Sequence, residues 1–289
     1  MSEFDSTHGS WPPLDPASGQ SAFPEPQAPP PRRRSPLPED VYTPWGGWEL
    51  LIFLCVALGS LILLTAVFWG FLLAVVKPAN IDTFIRTSAT FNSLFTACWY
   101  VFLVAYLYVT IRLYRHLPFW PTIGWRDWRS KTVPRAALYA LYVIGGMALA
   151  VVVEVGSVIF RTKAKLPIEA LFHNRIGVLW LMGVGILLAP LVEETIFRGY
   201  LYPVLARALG VEGGILTTGF LFGMMHARQL WGGWGQIGLL VLVGIVLTYA
   251  RARTGTVLTS WLMHLGYNTF LFAGFFISTG GLRHLPPAS

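Results

Sequence analysis

Charge is scarce in this chain: Asp, Glu, Lys and Arg make up 12% of its 289 residues. A soluble globular domain carries about twice that fraction, so there are too few polar side chains to cover a water-facing surface. Cysteine is scarcer still. Cys55 and Cys98 are the only two, each inside an apolar run, which excludes a disulfide-built secreted scaffold and a cysteine-rich zinc module. The sequence also lacks a His-Glu-x-x-His zinc helix, a Gly-x-Ser-x-Gly nucleophile elbow and a Gly-rich phosphate loop with its Lys. The two aspartates beyond residue 47, Asp82 and Asp127, fall between apolar runs, so an aspartyl dyad within a membrane is excluded as well. Ser260 stands four residues before His264, but its helix offers no carboxylate to orient that imidazole, which argues against a serine mechanism. A cleavable signal core spans about 7–15 residues. The first apolar run here begins near Trp48 and continues to Val76, so it is expected to stay as an anchor.

What is abundant is hydrocarbon: 54% of residues are hydrophobic and 15% aromatic, and the mean hydropathy is +0.57. A membrane span needs about 20 apolar residues. Runs of that kind cover Trp48–Val76, Phe91–Ile111, Ala136–Phe160, Ile176–Leu209, Gly213–Leu230, Trp234–Ala250 and Thr254–Thr279. The fourth is too long for one straight span, and Pro190 is expected to kink or divide it. The expected fold is all-α: a polytopic transmembrane helical bundle of seven or eight spans. Residues 1–47 hold 11 of the 20 prolines and six acids against three arginines, the composition of a disordered, solvated tail. Beyond them eight acids face 18 Lys and Arg. That excess belongs to membrane loops rather than to a nucleic-acid partner. The chain therefore divides into a tail (1–47), N-terminal membrane helices (48–170), a core (171–279) and a short C-terminal tail (280–289).

Lys and Arg divide twelve to eight in favour of the side that holds the N-terminus, with Arg198 set aside, so a cytoplasmic N-terminus in the plasma (inner) membrane is expected. No internal repeat suggests an inverted-repeat transporter. The tail's Pro-Pro-Pro-Arg-Arg-Arg stretch reads as a spacer with an inside-anchoring basic cluster.

Ionisable groups inside spans are costly and by default mark function. Five stand out: Glu193, Glu194, Arg198, His226 and His264. Glu194 and Arg198 are four apart and can pair on one helix face. Glu193 points about 100° away and is free to face the bundle interior. The same spacing sets Phe222 over His226 and His264 beside Asn268. Measured from the connections near Val211 and Arg253, Glu193, His226, Asn268 and His264 lie roughly 27, 22, 22 and 16 Å deep, in one layer of the bilayer.

A buried carboxylate, two imidazoles and an amide can activate a water and stabilise an oxyanion. In this reading Glu193 is a general base working with His226, and His264 and Asn268 donate to the oxyanion. The reaction class is amide hydrolysis within or beside the membrane.

These residues fall into three motifs: Glu193-Glu194-Thr-Ile-Phe-Arg198, Phe222-Gly-Met-Met-His226 and His264-Leu-Gly-Tyr-Asn268. In this order and on separate spans the chain resembles the CAAX-protease and bacteriocin-processing (Abi) family of intramembrane proteases, over about Leu171–Phe276. The resemblance implies a membrane cavity in which Glu193 and His226 activate water and His264 and Asn268 form the oxyanion site. It also implies that Glu194 and Arg198 shape that site, with Phe222 supporting it. Two mechanisms are open, a metal-independent glutamate protease and a zinc protease with Glu193, His226 and His264 as ligands. The implied partners are the lipid bilayer and a membrane-associated peptide or protein, lipid-modified or not.

Two other classes compete. A non-catalytic scaffold or bacteriocin-immunity protein would use the polar layer only to lock the bundle. A proton-coupled transporter would use Glu154, the one acid in the third run, although its place about six residues from Phe160 fits a protonated residue at the span end better.

Overall fold

The computed structural model describes residues 37–128, 132–160 and 166–286, and every regular element among them is helical. The apolar runs become α1 (Gly47–Phe71), α3 (Ala89–Tyr108) and α5 (Arg135–Ile159), with the short α2 (Ile81–Thr87) and α4 (Phe119–Thr122) between them. The second half is α6 (Arg175–Gly183), α7 (Ala189–Glu194), α8 (Tyr202–Met225), α9 (Trp234–Thr254) and α10 (Val257–Ser278). Side-chain caps start several of these helices. Asn80 accepts from Thr83 N, Ser88 from Phe91 N, Asn174 from Gly177 N and Thr256 from Leu258 N, each satisfying an amide that the first helical turn leaves unpaired. Gly255, at φ 71°, ends α9 in the left-handed conformation that glycine adopts without cost.

The chain is an integral membrane protein in which, among the described residues, five helical segments are long and apolar enough to cross a membrane, which does not confirm the expected seven or eight: Gly47–Val76, Ala89–Tyr114, Arg135–Ile159, Arg175–Met225 and Trp234–Thr254. Two features account for the difference. The fourth and fifth apolar runs are joined in one 51-residue stretch, interrupted at Gly210, where φ is 79° and ψ 166°. The 22-residue α10 is diluted by His264 and Asn268 and is not among the five. Within the fourth run Pro190 stands in the first turn of α7, directly after a π-helical turn at Val184–Leu188, and the non-helical backbone at Gly210 falls just past the end of the run.

Residues 1–36 of the expected tail lie outside the described residues. Residues 37–46, grouped with the tail by composition, are packed onto the bundle. Val41 and Trp45 are buried, the Trp45 indole stacks on Tyr200 at 4.9 Å and donates to Tyr200 O, and Arg207 donates to the carbonyls of Val41 and Trp45.

Two close helix pairs position the site: α8 on α9 and α5 on α10. Glycine sets both. A Cβ at Gly146 would stand 1.8 Å from Met263 O, and one at Gly266 would stand 2.1 Å from Val143 O. Small residues let membrane helices approach this closely, and Met263 and Gly266 flank His264. Gly219, Gly223 and Gly244 bring α8 and α9 together in the same way.

Candidate active site

The Glu193-Glu194 pair ends α7, a six-residue α segment set between π-helical turns at Val184–Leu188 and Thr195–Leu201. Such widened turns are rare and concentrate at functional sites. For the first of them the sequence holds a contributing feature, Pro190. In the first π turn Ala189 N bonds to Val184 O. The next carbonyl, that of Gly185, would pair in the same register with the nitrogen of Pro190, which has no hydrogen. Asn268 supplies the missing donor, its Nδ2 lying 2.7 Å from Gly185 O. One amide hydrogen of Asn268 therefore fixes α10 to the turn before the glutamates, and the second remains for other work.

Adjacent on the helix, the two glutamates have different partners. Glu194 Oε1 accepts from Arg198 Nη1 at 2.7 Å and from His264 Nδ1 at 2.9 Å. Arg198 also donates through Nε to Thr248 Oγ1 at 3.1 Å and through Nη2 to Gly244 O at 2.9 Å, and its guanidinium lies 4.5 Å from the centre of the Phe222 ring. Glu194 and Arg198 are 0% exposed, Glu193 5% and His264 4%. A buried charge is tolerated only when paired and hydrogen-bonded, and here each nitrogen of the guanidinium has an acceptor.

Glu193 faces the other way. Its Oε1 accepts from the Tyr100 hydroxyl at 2.5 Å, and its Oε2 lies 3.9 Å from His264 Nε2. His264 thus stands between the two carboxylates. Glu194 orients the ring through Nδ1, and Nε2 is turned toward Glu193.

Phe222 joins the two imidazoles, its ring centre 5.1 Å from that of His226 and 5.6 Å from that of His264. His226, half-buried at the end of α8, has Nδ1 3.0 Å from Phe222 O. A carbonyl only accepts, so Nδ1 carries the hydrogen and Nε2 is left as the basic nitrogen. Ser260 is fully buried and donates to Val257 O.

Zinc is one of the two mechanisms left open by the motifs. Among the described residues no group of three His, Cys, Asp or Glu side chains is arranged to hold a metal ion. We derive no step through a metal. Glu154 is exposed on α5, outside this cluster.

With the geometry in hand, the comparison with known proteins is specific. Residues 175–270 match the family model of the Rce1-like type II CAAX prenyl endopeptidases. The match covers a third of the chain and contains all three motifs, so the resemblance read from the motifs holds over this segment. No curated protein and no solved structure matches the chain.

Sequence reasoning missed several groups of the site. In the sequence Tyr100 reads as part of an apolar run, and α9 shows no charge in mid-span although it supplies Thr248 and the Gly244 carbonyl to Arg198. The orientation of His264 by Glu194, from a different helix, was also not foreseen. A hydroxyl in mid-span is the one signal that points to Tyr100, because a buried tyrosine needs a partner.

Proposed function

We propose that the protein is an intramembrane endopeptidase that hydrolyses a peptide bond of a membrane-associated, lipid-modified substrate. The observation that carries this reading is His264 held between two carboxylates, with Nδ1 on Glu194 and Nε2 facing Glu193. Glu193 Oε2 is the general base: it takes a proton from a water that attacks the carbonyl carbon, and returns it to the departing amine. A separation of 3.9 Å is too long for a direct hydrogen bond and suits a bridging water. His226, with Nε2 basic, assists in holding that water. His264 Nε2 and the second amide hydrogen of Asn268 donate to the oxyanion. For Nε2 to donate while Nδ1 serves Glu194, the His264 ring carries both protons. Glu193, Glu194, Arg198 and His264 then sum to zero charge, the arrangement a buried cluster requires.

A groove of about 360 Å³ beside Glu193 supports the lipid-modified substrate. It runs along α3 from Tyr100 past Val104 to Tyr108, with Leu191 and Val192 of α7 as its opposite wall. Its lining side chains are almost all apolar, and Val101, Val109 and Trp120 on its rim are exposed, so a hydrocarbon chain can enter from the bilayer and reach Tyr100, whose hydroxyl bonds Glu193. The match to the prenyl endopeptidase family supports the same substrate class.

The test uses the purified protein in lipid nanodiscs with two fluorogenic peptides ending in Cys-Val-Ile-Met, one S-farnesylated and one not. The farnesylated peptide is expected to be cleaved after the modified cysteine, and Glu193→Gln to abolish cleavage while the protein still inserts. Cleavage by Glu193→Gln at the wild-type rate overturns the catalytic assignment. Equal cleavage of both peptides overturns the lipid-modified substrate.

A further inference from the structure

Tyr100 lies in the middle of α3, 75 residues before the family-matched segment begins, and nothing in the three motifs requires it. It is buried, and its hydroxyl donates to Glu193 Oε1 at 2.5 Å. We infer that Tyr100 is a positioning residue for this site: it holds one oxygen of Glu193 so that the other faces His264. The inference rests on the endopeptidase reading and adds to it the device that aims the base.

Three observations carry it. The Glu193 carboxylate is buried, and a buried carboxylate needs a donor. Glu194 shows the same need in its neighbour, with Arg198 and His264 both donating to its Oε1. Among the described residues, the hydrogen bond from Tyr100 is the one that reaches the Glu193 side chain. The torsion that turns a glutamate carboxyl about its last bond is broad and roughly two-fold, so the backbone leaves open which oxygen meets the water. The Tyr100 bond settles it. With Oε1 occupied, Oε2 is the oxygen left 3.9 Å from His264 Nε2. A misplacement of about 1 Å in such a site costs on the order of a hundredfold in rate. The same side chain also forms one end of the apolar groove, so its ring borders the space assigned to the lipid chain while its hydroxyl serves the base.

A purely structural role predicts something different. If the hydroxyl merely finds a partner for a buried tyrosine, removing it changes stability and leaves turnover per folded molecule intact. In nanodiscs with the S-farnesylated reporter peptide, Tyr100→Phe is expected to lower kcat about tenfold or more, with KM within about twofold of wild type. Placing 3-fluorotyrosine at position 100, which keeps the hydroxyl, is expected to restore kcat. A second measurement needs no substrate: in infrared spectra, the carboxyl band that Glu193→Gln removes is expected to shift in Tyr100→Phe. A kcat for Tyr100→Phe within twofold of wild type, or a carboxyl band that does not move, overturns the inference. Wild-type protein that leaves the reporter uncut, or a Glu193→Gln variant that cleaves it, overturns the endopeptidase reading instead, and the infrared band then decides Tyr100 alone.

Discussion

Replacing Arg198 by Met tests whether the buried ion pair holds the site together. The guanidinium is 0% exposed and donates to Thr248 Oγ1, Glu194 Oε1 and Gly244 O. Methionine fills much of the same volume and can lie on Phe222, so the main loss is electrostatic: Glu194, also 0% exposed, keeps its charge with His264 as its remaining donor. Removing one partner of a buried pair costs about 3–5 kcal/mol, or roughly two to four powers of ten in the folding equilibrium. The cost belongs to the orphaned charge rather than to the pair. The double variant Arg198→Met with Glu194→Gln is therefore expected to recover a large part of the loss, a non-additivity that marks direct coupling. Reversible unfolding in bicelles, measured for wild type, both single variants and the double variant, gives all four corners of the cycle. A single-variant cost below about 1 kcal/mol, or strict additivity in the double variant, would refute the assignment of Glu194 as the charged partner.

Two further outcomes follow from the packing and the donor set. Gly146→Val is expected to lower both stability and turnover, because a Cβ there would meet Met263 O at 1.8 Å and push away the helix that carries His264. Gly59→Ala, where a Cβ meets nothing within 4 Å, is the matched control. Thermal unfolding and the reporter assay check both, and wild-type turnover in Gly146→Val would show that this crossing does not place His264. Chelation is expected to leave the cleavage rate unchanged, since Glu193, His226 and His264 are not grouped to hold a metal ion. Zinc found at one per chain by total metal analysis, and lost together with activity, would refute this.

Much of the site is legible in the sequence because charge inside an apolar run is so rare that each instance carries information. Helical spacing alone separates Glu193 from the Glu194–Arg198 pair, and the structure keeps that separation, with Glu194 on Arg198 and Glu193 on Tyr100. The depth arithmetic was less faithful. It assumes straight α-helices, whereas the glutamates lie between two π-helical turns. The first of those turns leads into Pro190 and receives a donor from α10, a contact that hydropathy cannot reveal. The span count is not confirmed for a related reason: His264 and Asn268 weaken the apolar signature of α10. Tyr100 was invisible to a search for charge because a tyrosine in an apolar run reads as hydrocarbon until a carboxylate is found opposite it.

The family-matched segment carries the three motifs, and residues outside it hold the glutamate helix in place. The π turn that follows the glutamates is gripped from outside that segment at three points. Trp45 stacks on Tyr200 and donates to its carbonyl. Trp125 Nε1 donates to Thr195 Oγ1 at 3.0 Å. Ile123 O approaches Gly199 so closely that a Cβ there would stand 2.5 Å away. With Tyr100 on Glu193, the glutamate helix is thus fixed on the side away from its own family partners. Motifs spaced along three helices specify which chemistry is available. How Glu193 meets His264 depends on Glu194, within a motif, and on Tyr100, which no motif contains, and reaction rates are sensitive to placement of this kind.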